Sequence, residues 1–220
     1  MSSATNTAAG KGTVPIYQLK VVLIDSEPPI WRRLQVPGKA KLDWLHAALQ
    51  VATGWTNSHL HQFRVGKDIY SPPDESGFAF EGGPETREES EFTLQQIAPL
   101  EQDSFVYEYD FGDSWDHQVT VEKILPAVAD LANTALCLDG GRACPPEDCG
   151  GVWGYAELLK TLKNRKHPEH KHMKEWLGRD LDAEAFDAAN TNLWLKKLKW
   201  PRVTEDQLRK ILMGRDDYQE

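Results

Sequence analysis

The chain has little from which to build a cross-linked or membrane-bound structure. Only three of its 220 residues are cysteine, Cys137, Cys144 and Cys149, and an odd number cannot all pair within one chain. They read as free thiols, or as part of a metal site, in a reducing cytoplasmic setting. No apolar run approaches the roughly 20 residues that a membrane span needs. The first ten residues lack the basic flank and apolar stretch of a secretory leader, and residues 1–13 read as a disordered polar tail. Basic charge is scarce as well. Up to Gly150 there are 22 acidic and 11 basic side chains, a net of −11, against 12 and 14, a net of +2, from Gly151 onward. An acidic body repels phosphate backbones, so generic duplex DNA is not an expected partner. There is no Gly-x-Gly-x-x-Gly after a strand, no Walker lysine and no Gly-x-Ser-x-Gly elbow.

What is present is enough for a core: 40% hydrophobic residues, 27% charged and eight Trp exclude global disorder. Alternation over 14–24 and 30–36 predicts two antiparallel strands around the Asp25–Pro29 turn. Leu42, Leu45, Leu49 and Ala52 mark a helix that ends at Gly54. His59–Val65 has period two, with His59, His61, Phe63 and Val65 on one face. Residues 71–91, rich in Pro, Gly and Glu, predict a long exposed loop, and Leu94–Ile97 a single helical turn. Residues 105–124 predict a hairpin around Phe111–Asp116, paired with the N-terminal strands. A Cys/Gly/Pro-rich loop covers 137–154, and everything after it reads as helical: 155–162, 167–177, 183–198 and 204–212, the last opened by a Thr204/Gln207 capping box. The fold class is therefore α+β: an antiparallel sheet with one inserted helix and a C-terminal helical segment packed on one side. Residues 14–200 read as one domain, β-rich over 14–125, and 201–220 as a C-terminal helix and tail.

Several blocks taken in order resemble one family. They are Leu42-Asp-Trp-Leu-His46, Gly54-Trp55, His59-Leu-His-Gln-Phe63, Tyr107-Glu-Tyr-Asp-Phe-Gly-Asp-Ser-Trp-Asp-His117, Gly141-Arg-Ala-Cys-Pro-Pro-Glu-Asp-Cys-Gly-Gly151 with Gly154-Tyr155, and Trp176-Leu-Gly178. Over about residues 15–195 the chain resembles the plasmid pRiA4b ORF-3-like family, whose members are sometimes labelled transposon passenger TnpR. The resemblance implies a compact α+β domain of prokaryotes and mobile elements without an established activity. Two positions depart from the family pattern: Lys41 replaces a usual Ser/Thr helix cap, and Ala183 a common Pro. The TnpR label suggests a resolvase, which the residues oppose. A serine resolvase needs a nucleophilic Ser near its start among several Arg, yet the first 30 residues contain no Arg. His61-Gln-Phe-Arg64 has the His-x-x-Arg spacing of tyrosine recombinases but lies in a strand pattern.

Candidate site residues fall into four groups. Asp110, Asp113, Asp116 and His117, beside Phe111 and Trp115, gather carboxylates and an imidazole that can hold a cation or exchange protons; the structural alternative is turn chemistry and a core network. His59 and His61 suit a metal or two partly buried His. A divalent cation would draw on His59, His61, Asp113 and His117, with Cys144 and Cys149 as weaker candidates because their C-x4-C spacing is only close to that of a zinc knuckle. Glu147 and Asp148, in the Gly-rich segment ahead of a helix expected to start near Trp153, read as caps for its N–H groups rather than as a phosphate cradle. Lys160, Lys163, Lys166 and Lys171 form a basic patch that is either a solvated face or a contact for an acidic partner or nucleic acid. The loops at 56–61, 110–117 and 144–151 are expected to meet at one end of the sheet. Together these features predict a non-enzymatic binding or adaptor module for a protein or small ligand, with a metal-dependent hydrolase or nuclease-like enzyme as the alternative.

Overall fold

The computed structural model describes residues 14–73 and 86–214. The expected N-terminal tail, most of the 71–91 loop and residues 215–220 lie outside the described residues. Among the described residues eight strands form one sheet: β1 (Ile16–Leu23), β2 (Trp31–Pro37), β3 (His61–Val65), β4 (Asp68–Ser71), β5 (Thr86–Glu88), β6 (Ser104–Tyr109), β7 (Trp115–Leu125) and β8 (Leu136–Gly141). Their spatial order is β5-β4-β3-β6-β7-β1-β2-β8. Every pairing is antiparallel except β4 with β5. The β6–β7 hairpin joins the N-terminal pair through β1, with Leu19 opposite Val121 and Val21 opposite Val119. This is the α+β sheet that the patterning predicts.

The strand period separates two faces. Phe63, Phe105, Tyr107, Tyr109, Trp115, Val119 and Val121 are buried under the helices. The opposite face carries polar ladders such as Arg33–Glu122 (2.7 Å) and Arg64–Asp116 (2.7 Å). Arg33 holds the Glu122 carboxyl down at about 2. Helix α1 (Leu42–Thr53) lies on the apolar face and closes with Gly54 at φ 103°, a left-handed conformation that glycine adopts without steric cost. Lys41 offers no side-chain cap; Asp43 Oδ1 accepts from Trp44 N (2.7 Å) in place of the usual Ser/Thr, and a backbone strap adds Phe92 O, which accepts from Leu42 N (3.1 Å). The strap continues into α2 (Leu94–Ile97), the expected single turn, with its own Thr93/Gln96 capping box.

The apolar stripe of α1 understates its burial. Trp44 is buried too, because α5 (Ala188–Leu195) and α6 (Glu205–Met213) pack on the side away from the sheet, whereas His46 and Gln50 are buried against the sheet, where both bond to the Tyr107 hydroxyl. Trp44 Nε1 donates to Lys199 O (3.1 Å), and its ring meets Trp200 edge-on.

Four expectations need correction. Leu136–Gly141 is an edge strand on β2, not part of a loop; its two terminal glycines mask a three-residue alternation. Residues 86–91 are not exposed loop throughout, since β5 leads into a 3-10 turn (Glu89–Glu91) that buries Glu89. Helix α3 (Gly151–Lys163) starts four residues earlier than its apolar spacing indicates. After α4 (His170–Leu177) the chain is irregular until Asp187, whose carboxylate accepts from Ala189 N and Asn190 N and so opens α5 five residues after Ala183.

Candidate functional site

Three loops meet beyond one end of the sheet: 54–60 after α1, 110–114 between β6 and β7, and 144–150 before α3. Tyr109 ties two of them together. Its hydroxyl donates to Glu147 Oε1 (2.5 Å) and accepts from Ser58 N (2.9 Å) and His59 N (3.3 Å). Burial and the Glu147 anion push this phenol well above its ordinary value, so it stays a donor. Glu147 also accepts from Thr56 N (3.2 Å) and from the Thr56 hydroxyl. Trp55 stacks on Tyr109 and donates Nε1 to Pro145 O (3.0 Å). The cap of α3 is therefore not Glu147 or Asp148 as expected. Gly150 N instead donates to Asp113 Oδ2 (3.0 Å), reaching across from the hairpin turn. Gly151 makes this approach possible, for a Cβ there would lie 2.5 Å from Asp113 O.

Asp110 sits at φ 58°, a left-handed conformation that a short polar side chain tolerates by bonding locally. Its Oδ1 accepts from Gly112 N (2.9 Å) and Asp113 N (3.3 Å), leaving Oδ2 turned toward His59. His59 Nε2 lies 3.6 Å from Asp110 Oδ2 and 3.2 Å from Asp148 Oδ1. Among the described residues this trio is the one group of His, Cys, Asp or Glu whose ligand atoms all lie within 4.8 Å of one another.

The other expected metal donors go elsewhere. Strand β3 begins at His61, so the period-two rule does not reach His59 and the two imidazoles part company. His61 is buried, stacked on His46 with ring centroids 3.4 Å apart, and bonded through Nε2 to Glu89 Oε2 (2.9 Å). Asn57 Oδ1 accepts from His46 Nε2 (2.8 Å), so Nδ1 accepts from the Tyr107 hydroxyl (2.8 Å), which in turn accepts from Gln50 Nε2 (2.9 Å). Burial lowers His46 and takes His61 down to about 3, while it raises the Glu89 carboxyl to about 7. Sequence reasoning missed His46, Gln50, Asn57 and Glu89 as a network; the signal for it was two polar residues four apart within the stripe of α1. His117 is 2% exposed and its Nδ1–H donates to Trp115 O (3.0 Å). Its Nε2 has no hydrogen-bond partner among the described residues, and burial holds the ring neutral by lowering it to about 4. Trp115 is wholly buried beside Trp55 and serves the core.

The thiols do not gather either. Cys137 is buried in β8 and pushed up to about 11, Cys149 is pushed up to about 12, and Cys144 lies 3.9 Å from Arg32 Nη2. The basic patch is exposed on α3, α4 and the segment between them, with Lys160 3.2 Å from Glu157 and Lys171 3.6 Å from Glu175, and with Lys163 and Lys166 also on the surface. Beside the three loops, α3 and α4 enclose a cleft of about 380 Å³. Leu158, Met173 and Trp176 form its apolar lining, and Asp148, Glu157 and Glu169 place three carboxylates at it against His167. Asp148 belongs to both the cleft and the His59 trio.

Comparison with known proteins places the chain among relatives that match four fifths or more of it. A family model described as plasmid pRiA4b ORF-3-like protein matches residues 15–190. The uncharacterized protein y4hQ of Sinorhizobium fredii (strain NBRC 101917 / NGR234) is 38% identical over 191 residues, covering 85% of this chain and 95% of that protein. The crystal structure of the protein of unknown function MM3350 from Methanosarcina mazei Go1 superposes with a TM-score of 0.69 at 35% identity, covering 81% of this chain and 97% of that one.

Proposed function

The chain belongs to the plasmid pRiA4b ORF-3-like family, and we propose that it is a binding module whose ligand occupies the cleft between α3, α4 and the 145–150 loop. The observation that carries this reading is the cleft itself. Its volume of about 380 Å³ falls in the roughly 300–1,000 Å³ range of small-molecule sites. Its lining combines the apolar surface of Leu158, Met173 and Trp176 with several polar groups, a composition that binds and orients a small molecule. Three carboxylates against one imidazole favour a positively charged ligand, and the Trp176 ring adds a cation–π surface. The ligand class is thus a small organic amine with an apolar body. The one thiol of the lining, Cys149, is held protonated by burial and so is a poor nucleophile, which favours binding over covalent catalysis. Three free thiols suit a reducing compartment, the cytoplasm. Among the described residues no helix is long and apolar enough to cross a membrane.

Thermal unfolding with matched aromatic ligands tests the reading: phenethylamine and tryptamine against phenylacetate and indole-3-acetate. An amine present at about 100 times its Kd stabilises by about 2.7 kcal/mol, which for a chain of this size raises Tm by about 5–10 °C. Trp176→Ala should abolish the rise. Equal shifts with the carboxylates, or a shift that survives in Trp176→Ala, would sink the proposal.

A further inference from the structure

We infer that His59, Asp110 and Asp148 form a divalent-cation site of the zinc class at the edge of the cleft. The donors come from three separate loops and present one nitrogen and two carboxylate oxygens, a set that suits a borderline ion. Two ligands held about 2.0–2.2 Å from a tetrahedral zinc lie about 3.3–3.6 Å from each other. The His59 Nε2 separations of 3.2 Å and 3.6 Å match the edges of such a coordination sphere.

The state of that nitrogen is the independent observation. The His59 side chain is 28% exposed, yet its Nε2 is shut off from solvent and has no hydrogen-bond partner among the described residues, although two carboxylates flank it. An Nε2–H donor would close on one oxygen at about 2.7–2.9 Å. Here the nitrogen stands 3.2 Å and 3.6 Å from the two oxygens, longer than such a bond, as a lone pair facing a shared ligand would. Asp110 is rigidly placed for the role, since its other oxygen is held by Gly112 N and Asp113 N. Such fixing of a first ligand by a second layer of bonds is what metal centres use to set ligand orientation. His59 is held in turn through its backbone N–H on Tyr109. Three protein donors leave a position for water, and Asp148 puts the ion beside the cleft, where Glu157 and Glu169 remain as the carboxylates for an amine.

The test uses the full chain without an affinity tag. After equilibration with zinc chloride and desalting, metal content is measured by mass spectrometry and affinity by competition with a chromophoric chelator. One zinc per chain is expected. Asp110→Asn keeps the turn, because an amide oxygen accepts the same N–H bonds and Asn tolerates the left-handed backbone. Asp148→Asn alters a side chain that is 70% exposed and leaves folding alone. Each should weaken zinc at least about tenfold with an unchanged urea midpoint, while the double variant Cys144→Ser, Cys149→Ser binds as the parent does. Cobalt in place of zinc should give visible bands without a thiolate charge-transfer band. Substoichiometric zinc in folded protein, full affinity in both Asp variants, or loss of zinc with the thiols would each overturn the inference. The cleft reading fails separately: zinc binding is expected to persist in Trp176→Ala.

Discussion

Replacing His117 by Phe should leave the protein about as stable as before near neutrality and markedly less sensitive to acid. The imidazole is wholly buried, meets the Trp55 ring edge-on at 5.2 Å and is lowered to about 4 from an ordinary 6.5. Between those values the unfolded chain binds a proton at this position and the folded chain does not. Stability is therefore present above pH 6.5 and is lost as pH falls toward 4. At about 1.4 kcal/mol per unit, the loss is about 2 kcal/mol at pH 5 and about 3 kcal/mol in full. A Phe ring preserves the aromatic contacts and has nothing to titrate. It forfeits the bond to Trp115 O, worth about 1 kcal/mol, and removes an unpartnered buried nitrogen that costs about 1–3 kcal/mol, so the two changes roughly offset at pH 7.5. Other titrating groups, Glu89 among them with its opposite sign, are common to both proteins and cancel in the difference. Urea unfolding followed by Trp fluorescence at pH 7.5 and 5.0 measures it. If His117→Phe loses as much stability as the parent over that interval, to within about 0.5 kcal/mol, the assignment of a neutral, desolvated imidazole is wrong.

Gly151→Ala should cost about 3 kcal/mol, combining a left-handed backbone at φ 68° with a Cβ driven into Asp113 O. Gly178→Ala, also left-handed but with open space around it, should cost only about 1 kcal/mol, and equal urea midpoints for the two would contradict the loop contact. Random-sequence duplex DNA at roughly 150 mM salt should bind no tighter than the 10⁻⁶ M edge of ordinary non-specific association; a tighter complex in a mobility-shift titration, abolished by neutralising Lys160, Lys163, Lys166 and Lys171, would show the charge argument to be mistaken.

The elements that announce themselves in the sequence are those whose partners are close or whose period is long. The stripe of α1, the β6–β7 alternation and the Thr204/Gln207 box of α6 all carry their own signal, and each forms as predicted. Strand β8 does not, because what makes it a strand is the edge of β2 and not its own composition. Parity misleads at His59 for a related reason: the period-two rule holds only inside a strand, and β3 starts two residues later. The meeting of the three loops could be anticipated from turn chemistry at strand ends. Which carboxylate serves which role could not. Asp113 caps a helix 37 residues away, and Glu147 is committed to a threonine 91 residues back. No local pattern distinguishes those two from Asp110 and Asp148, whose oxygens turn to His59.

Those long spans also determine when the site comes into being during folding. The hydroxyl–carboxylate bond from Tyr109 to Glu147 closes 38 residues of chain, and the Thr56 bond closes 91. The entropy of closing a loop grows with its length and must be met before the contact that rewards it exists. The β6–β7 hairpin and α1 can gain structure early from near neighbours, but the ring of loops at the sheet end assembles only once the N-terminal, hairpin and α3 segments have all docked. Topology of that kind slows folding and places the site's formation late. A ligand or ion held there would act as a lock on the completed fold: bonds absent from the folding transition state slow unfolding while leaving the folding rate nearly unchanged.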